Sequence, residues 1–149
     1  MRRLIDRLGI EGSVAVTGRL SDEELADRFR CHHVLAVPST YEAFGIVSLE
    51  GMGFGPPALA TAAGGADETV SDGENGILVP PNEPMAIARR LRSVLEDPER
   101  PRELSLAARE TYDGHHTWDE TVARIRRVLR ATASNAMTGP VTSHPRRRN

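Results

Sequence analysis

The chain of 149 residues is long enough for one domain with one core and too short for two full domains. A formal net charge of -2, with 27% charged and 39% hydrophobic residues, gives no global field for capturing nucleic acid or an anionic membrane. The single cysteine, Cys31, excludes an intrachain disulfide and a Cys-rich zinc site; the absence of lysine excludes Schiff-base chemistry and a Walker-type phosphate clamp.

Residues 1–8 predict a helix stopped by Gly9. They lack the apolar run of a signal peptide, and no stretch approaches the roughly 20 apolar residues that a bilayer crossing needs. The expected compartment is the cytoplasm, with membrane contact at most peripheral at the inner face. The apolar run VAVT at 14–17 predicts a short buried strand ending at Gly18. Ser21 followed by Glu24 forms a capping box opening a helix to about Arg30. VLAV at 34–37 predicts the next strand, closed by Pro38, and a helix follows from about Gly45 to Met52. PALAT at 57–61 and GILV at 76–79 resume the strand pattern. Short apolar runs alternating with helical periodicity predict an α/β fold with a parallel sheet.

The last third reads as helical. Ile87, Leu91, Val94 and Leu95 recur at helical spacing until Asp97-Pro98 breaks the run. A second helix is predicted over 99–112. Thr117 with Glu120 forms another capping box, ahead of a face bearing Val122, Ile125, Val128 and Leu129. Residues 133–149, rich in Ser, Thr, Pro and Arg, read as a disordered tail whose Arg146–Arg148 run is solvated. The pairs His32-His33 and His115-His116 read as solvated turns rather than metal ligands, and Trp118 as a packing residue.

The string PSTYEAFGIVSLE at 38–50 carries the chemistry. Two glutamates eight apart mean little alone, since solvated carboxylates occur at that spacing by chance. Their context says more. Glu42 sits in a loop after a strand, and Glu50 in the second turn of the following helix, amid Ile46, Val47, Leu49 and Met52. A carboxylate there is costly unless a partner accepts it. A strand, a loop and a helix N-terminus present free N–H groups and a dipole suited to a diphosphate, and Gly45 lets the backbone approach closely. The two carboxylates lie on the order of 10 Å apart by helix rise, a gap like that between the ribose and the sugar of a nucleotide sugar.

These residues resemble the E-x7-E motif of the glycosyl transferases group 1 family, whose members have the GT-B fold. GRLSDEEL at 18–25, TAAGGADETV at 61–70 and DGENGILV at 72–79 are similar to further segments of that family, the last to its hairpin. The resemblance implies that residues 1–132 form most of the C-terminal, donor-binding half of a GT-B fold, a partial Rossmann-like domain. It implies that Glu42 faces the donor sugar and helps hold the reacting centre, while Glu50 binds the ribose hydroxyls. Phe44, Gly45, Ile46 and Val47 are expected to offer backbone N–H groups to the sugar and diphosphate, and Arg19 and Leu20 to border the base. The implied reaction is sugar transfer from a nucleotide sugar with retention of configuration, without a metal or other cofactor. The expected partners are the nucleotide sugar and a separate N-terminal GT-B domain or subunit, with no nucleic acid.

Two departures stand out. The first strand and turn, with the Arg and Lys that clamp the diphosphate in the family, have no counterpart here, so the chain alone is expected to be weakly active or inactive. Gly51 stands where the family often has Ala, and GFGPP at 53–57 replaces its more usual small-residue turn, which suggests a loosened helix end. Gly64-Gly65 reads as a turn demanded by backbone geometry rather than as a ligand. The competing reading is a nucleotide-binding or protein-interaction module without turnover. A third reading is a related GT-B enzyme, a sugar-nucleotide epimerase or a phosphorylase, of which the phosphorylase is excluded by the missing lysine that would hold pyridoxal phosphate.

Overall fold

The computed structural model of the chain describes residues 1–115 and 118–138. Three strands, β1 (Leu35–Val37), β2 (Ala58–Thr61) and β3 (Gly76–Val79), form one parallel sheet in the order β1-β2-β3. Leu35 lies opposite Ala58, and Ala58 opposite Gly76. Helices α1 (Arg2–Leu8) and α2 (Asp22–Cys31) precede the sheet, and α3 (Ile46–Met52) crosses from β1 to β2. Helices α4 (Pro84–Leu95) and α5 (Arg100–Asp113) follow β3. The chain divides into two compact units, Met1–Asp113 and Gly114–Asn149. The second contains α6 (Trp118–Thr138). No helix among the described residues is long and apolar enough to cross a membrane.

The helix signals act as their chemistry requires. Gly9 closes α1, its N–H reaching the carbonyls of Ile5 and Asp6. Ser21 and Glu24 form the reciprocal cap of α2: the Ser21 N–H donates to the Glu24 carboxylate at 2.8 Å, and the Glu24 N–H donates to Ser21 Oγ at 3.3 Å. The backbone hydrogen bond from Ser21, then the one from its hydroxyl, hold the Glu24 carboxyl below the ordinary value of 4.5. A lowered folded-state value means that the cap contributes fully above the unfolded value and is lost as pH falls through the lower one. An acid titration followed by the Ser21 amide resonance is therefore expected to show its inflection below pH 4.5.

Strand β2 is buried along its whole length, as a central parallel strand covered on both faces must be. Its alternate residues feed two cores. Ala58 and Ala60 pack with Met52 of α3, Ala66, Val70 and Ala108 of α5. Leu59 packs with Ile77, Val79, Ala86 and Val94 of α4, and Leu104 of α5.

Several expectations are corrected. Residues 14–17 form no strand: Val14 and Val16 are 38% and 40% exposed, and the sheet ends at β1 without pairing to them. Val14 is extended, but an extended segment becomes a strand only through a ladder. The segment at 72–79 is not a hairpin; Asp72 to Asn75 turn into β3, which runs parallel to β2. Gly51 and Gly53 have a packing cause that helix propensity does not show. A Cβ on Gly51 would overlap the Leu35 side chain of β1, and one on Gly53 would come within 2.8 Å of the Tyr112 ring of α5. Both glycines permit close packing. Helix α6 runs to Thr138, past the point where the tail was expected to begin. Within α6 Val122, Ile125, Val128 and Leu129 are exposed. His116, Thr117, the Trp118 side chain and residues 139–149 lie outside the described residues.

Candidate functional site

The carboxyl ends of β1 and β2 carry two loops, 38–45 and 62–65. In an open parallel sheet this edge is where ligands bind, because loops there face one way and helices begin with free N–H groups. The loops are joined backbone to backbone. The Glu42 N–H donates to the Ala63 carbonyl at 2.9 Å, and the Gly65 N–H donates to the Glu42 carbonyl at 2.7 Å. The Thr61 hydroxyl, at the end of β2, donates to the Ser39 carbonyl. Gly64 and Gly65 make this apposition possible: a Cβ on Gly64 would overlap the Glu42 carbonyl, and one on Gly65 the Ala43 carbonyl. Backbone geometry accounts for both glycines, as expected of a turn.

Gly45 is the N-cap of α3, buried, with φ of 84° in the left-handed region where a side chain is strained. A Cβ there would find its nearest neighbour at 3.8 Å, so the dihedral and not crowding selects glycine. The first helical hydrogen bond runs from the Leu49 N–H to the Gly45 carbonyl at 3.0 Å. The N–H groups of Ile46, Val47 and Ser48 thus have no partner within the helix. The Gly45 N–H donates to Glu42 Oε1 at 3.1 Å. A carboxylate oxygen therefore already sits on this amide. The spacing that betrays it, an acceptor three residues before the N–H it caps, is legible in sequence.

Glu50 is exposed, and its carboxylate makes no hydrogen bond or ion pair among the described residues. This corrects the expectation of a carboxylate in apolar surroundings. The buried face of α3 is Ser48, Gly51 and Met52, whereas Glu50 shares the exposed face with Ile46 and Val47, four and three residues before it. No burial cost attaches to it, and its charge is available to a ligand. Tyr41, Phe44, Ile46 and Val47 are likewise exposed, so the loop and the first turn of α3 present apolar side chains to solvent. Arg19 is exposed; Leu20 lines a groove of about 310 Å³ with Ala15, Leu25, Phe29 and Ala36, alongside β1. The structure thus joins Glu42 to Gly45 directly and sets Glu50, Ile46 and Val47 on one helix face. Among the described residues, Arg19 and Leu20 make no hydrogen bond to that group.

The family of glycosyl transferases group 1 matches residues 1–111. A D-inositol 3-phosphate glycosyltransferase of Streptomyces coelicolor is 36% identical over 148 residues, covering 99% of this chain and 30% of that protein. Sucrose-phosphate synthase from Thermosynechococcus elongatus superposes with a TM-score of 0.81 at 31% identity, over 90% of this chain and 34% of that one. Anabaena HepE, solved in complex with UDP-glucose, superposes with a TM-score of 0.73 at 30% identity, over 90% of this chain and 35% of its own. The chain thus spans about a third of the length of these relatives.

Proposed function

This chain belongs to the glycosyl transferases group 1 family, and we propose that the loops at the carboxyl ends of β1 and β2 form the donor site for a nucleotide sugar. In this reading Glu50 accepts the ribose hydroxyls, and the N–H groups of Ile46 and Val47 hold the diphosphate and sugar together with that of Phe44 and with that of Gly45, which exchanges Glu42 Oε1 for the ligand. Glu42 faces the donor sugar, and Arg19 and Leu20 border the base. The reaction is sugar transfer with retention of configuration and without a metal, completed by an N-terminal GT-B domain or subunit. The leaving diphosphate bears the developing charge, so preorganised amides at a helix start are the main catalytic provision. Cytoplasmic placement, at most peripheral to a membrane, suits a soluble donor.

One observation carries the reading: at the carboxyl edge of the sheet the N–H groups of Ile46 and Val47, on the exposed face of α3, come before its first helical hydrogen bond, from Leu49 to Gly45. The structure of HepE with UDP-glucose supports the ligand class. Titration of the chain with UDP-glucose, GDP-mannose and ADP-glucose tests it. At least one is expected to bind, and Glu50→Ala is expected to weaken it by roughly 10- to 150-fold, the worth of a charge-assisted hydrogen bond. A loss of less than about threefold would remove Glu50 from the site.

The exposed row Val122, Ile125, Val128 and Leu129 on α6 favours a second reading, a nucleotide-binding or protein-interaction module without turnover. Sugar transfer measured with the matching N-terminal half separates the two: turnover supports the enzyme.

A further inference from the structure

We propose that Thr69 is a positioning residue that sets the Phe44–Gly45 peptide plane at the start of α3, so that the Gly45 N–H meets Glu42 at the edge of the donor site, through a hydrogen bond to the other end of the same peptide group. The inference rests on the donor-site reading for its function but not for its geometry.

Thr69 ends the short helical turn Ala66–Glu68 and is 4% exposed. Its hydroxyl donates to the Phe44 carbonyl at 3.2 Å. That carbonyl and the Gly45 N–H belong to one planar group, and no cis peptide bond is present among the described residues. In a trans peptide the C=O and the N–H point in opposite directions, so fixing one fixes the other. Held from beneath by Thr69, the peptide turns its N–H toward Glu42 Oε1, 3.1 Å away. A glycine at φ of 84° has more backbone freedom than any other residue, which makes an external anchor for this plane useful. The side chain also packs there, 3.9 Å from where a Gly45 Cβ would stand.

Thr69 is itself held. Asn75, 6% exposed, donates through Nδ2 to the Thr69 carbonyl at 3.1 Å and to Thr111 Oγ1 at 2.9 Å. Its Oδ1 accepts the Ser71 N–H at 2.7 Å. The Thr111 hydroxyl donates to the Ala107 carbonyl of α5 at 2.9 Å. A continuous set of satisfied polar groups thus runs from α5 through Asn75 and Thr69 to the start of α3. Satisfied buried networks of this kind hold one geometry, because any rotation leaves a polar group unpaired in a low-dielectric interior. Valine in place of Thr69 would keep the packing and lose the bond.

The test compares wild type with Thr69→Val and Thr69→Ser, using Thr69→Ala should the valine variant fail to fold. Without ligand, hydrogen exchange of the Gly45 amide is expected to speed up by about fivefold in Thr69→Val and to stay within twofold of wild type in Thr69→Ser. With ligand, the affinity for UDP is expected to fall by about fivefold in Thr69→Val while that for uridine, which lacks the diphosphate, changes by less than about twofold. The serine variant restores both. Unchanged Gly45 exchange in the valine variant overturns the proposal, whatever the ligand does. Altered exchange in a chain that binds no UDP keeps Thr69 as the anchor and removes the donor-site reading instead. Equal losses for UDP and uridine would mean a general structural defect and would also overturn it.

Discussion

Gly64→Ala is expected to abolish nucleotide-sugar binding and to destabilise the Met1–Asp113 unit by about 2–4 kcal/mol, summing left-handed strain and a backbone clash. Gly64 has φ of 95°, and its Cβ would overlap the Glu42 carbonyl oxygen and lie 2.9 Å from the carbonyl carbon. Neither neighbour is a flexible side-chain end that could swing aside. Relief requires the loops to part, which breaks the Glu42 N–H to Ala63 and Gly65 N–H to Glu42 bonds. With them goes the placement of Glu42 against Gly45. Gly73→Ala is the control, because Gly73 has φ of 75° but its Cβ would meet only the Arg100 guanidinium, at 3.6 Å. That variant is expected to cost about 1 kcal/mol of backbone strain and leave affinity unchanged. Urea unfolding and calorimetric titration of both variants make the comparison. Wild-type affinity in Gly64→Ala would show that the contact between the loops has no part in binding.

What the sequence disclosed depended on how local each cause is. The cap of α2 needs only Ser21 and Glu24, three residues apart, and was legible from them. The apolar runs at 58–61 and 76–79 were legible as strands because both faces are buried, which leaves a continuous hydrophobic signature. Residues 14–17 bear a similar signature without forming a strand, because pairing depends on a neighbour that a local pattern cannot reveal. Gly51 illustrates the same limit: helix propensity marks it as a weakness, but the Leu35 side chain occupies the space a larger residue would need. At the site, Glu42 and Gly45 were found by motif and Gly64-Gly65 by turn chemistry. Their mutual contact spans 22 residues and was not visible. Thr69 and Asn75 escaped notice because their partners, Phe44 and Thr111, lie 25 and 36 residues away.

Leu59→Ala is expected to remove about 2–5 kcal/mol of stability while leaving the affinity of the folded chain unchanged. Leu59 is fully buried at the centre of β2, between the edges formed by β1 and β3. Its side chain packs with Ile77, Val79, Ala86, Val94 and Leu104, a group built from β3, α4 and α5. Truncation removes three carbons' worth of burial and opens a cavity that strand backbones on both sides prevent from closing. For a domain whose net stability is about 5–15 kcal/mol, the loss is a large fraction of the whole. The loops of the candidate site are supported instead through Met52, Ala66 and Val70, which pack on the opposite face of β2 with Ala58 and Ala60. A cavity at Leu59 should therefore shift the urea midpoint without altering the slope or the nucleotide titration of the remaining folded protein. A matched loss of affinity would mean that the two faces of β2 communicate, and that the sheet tunes the site as well as carrying it.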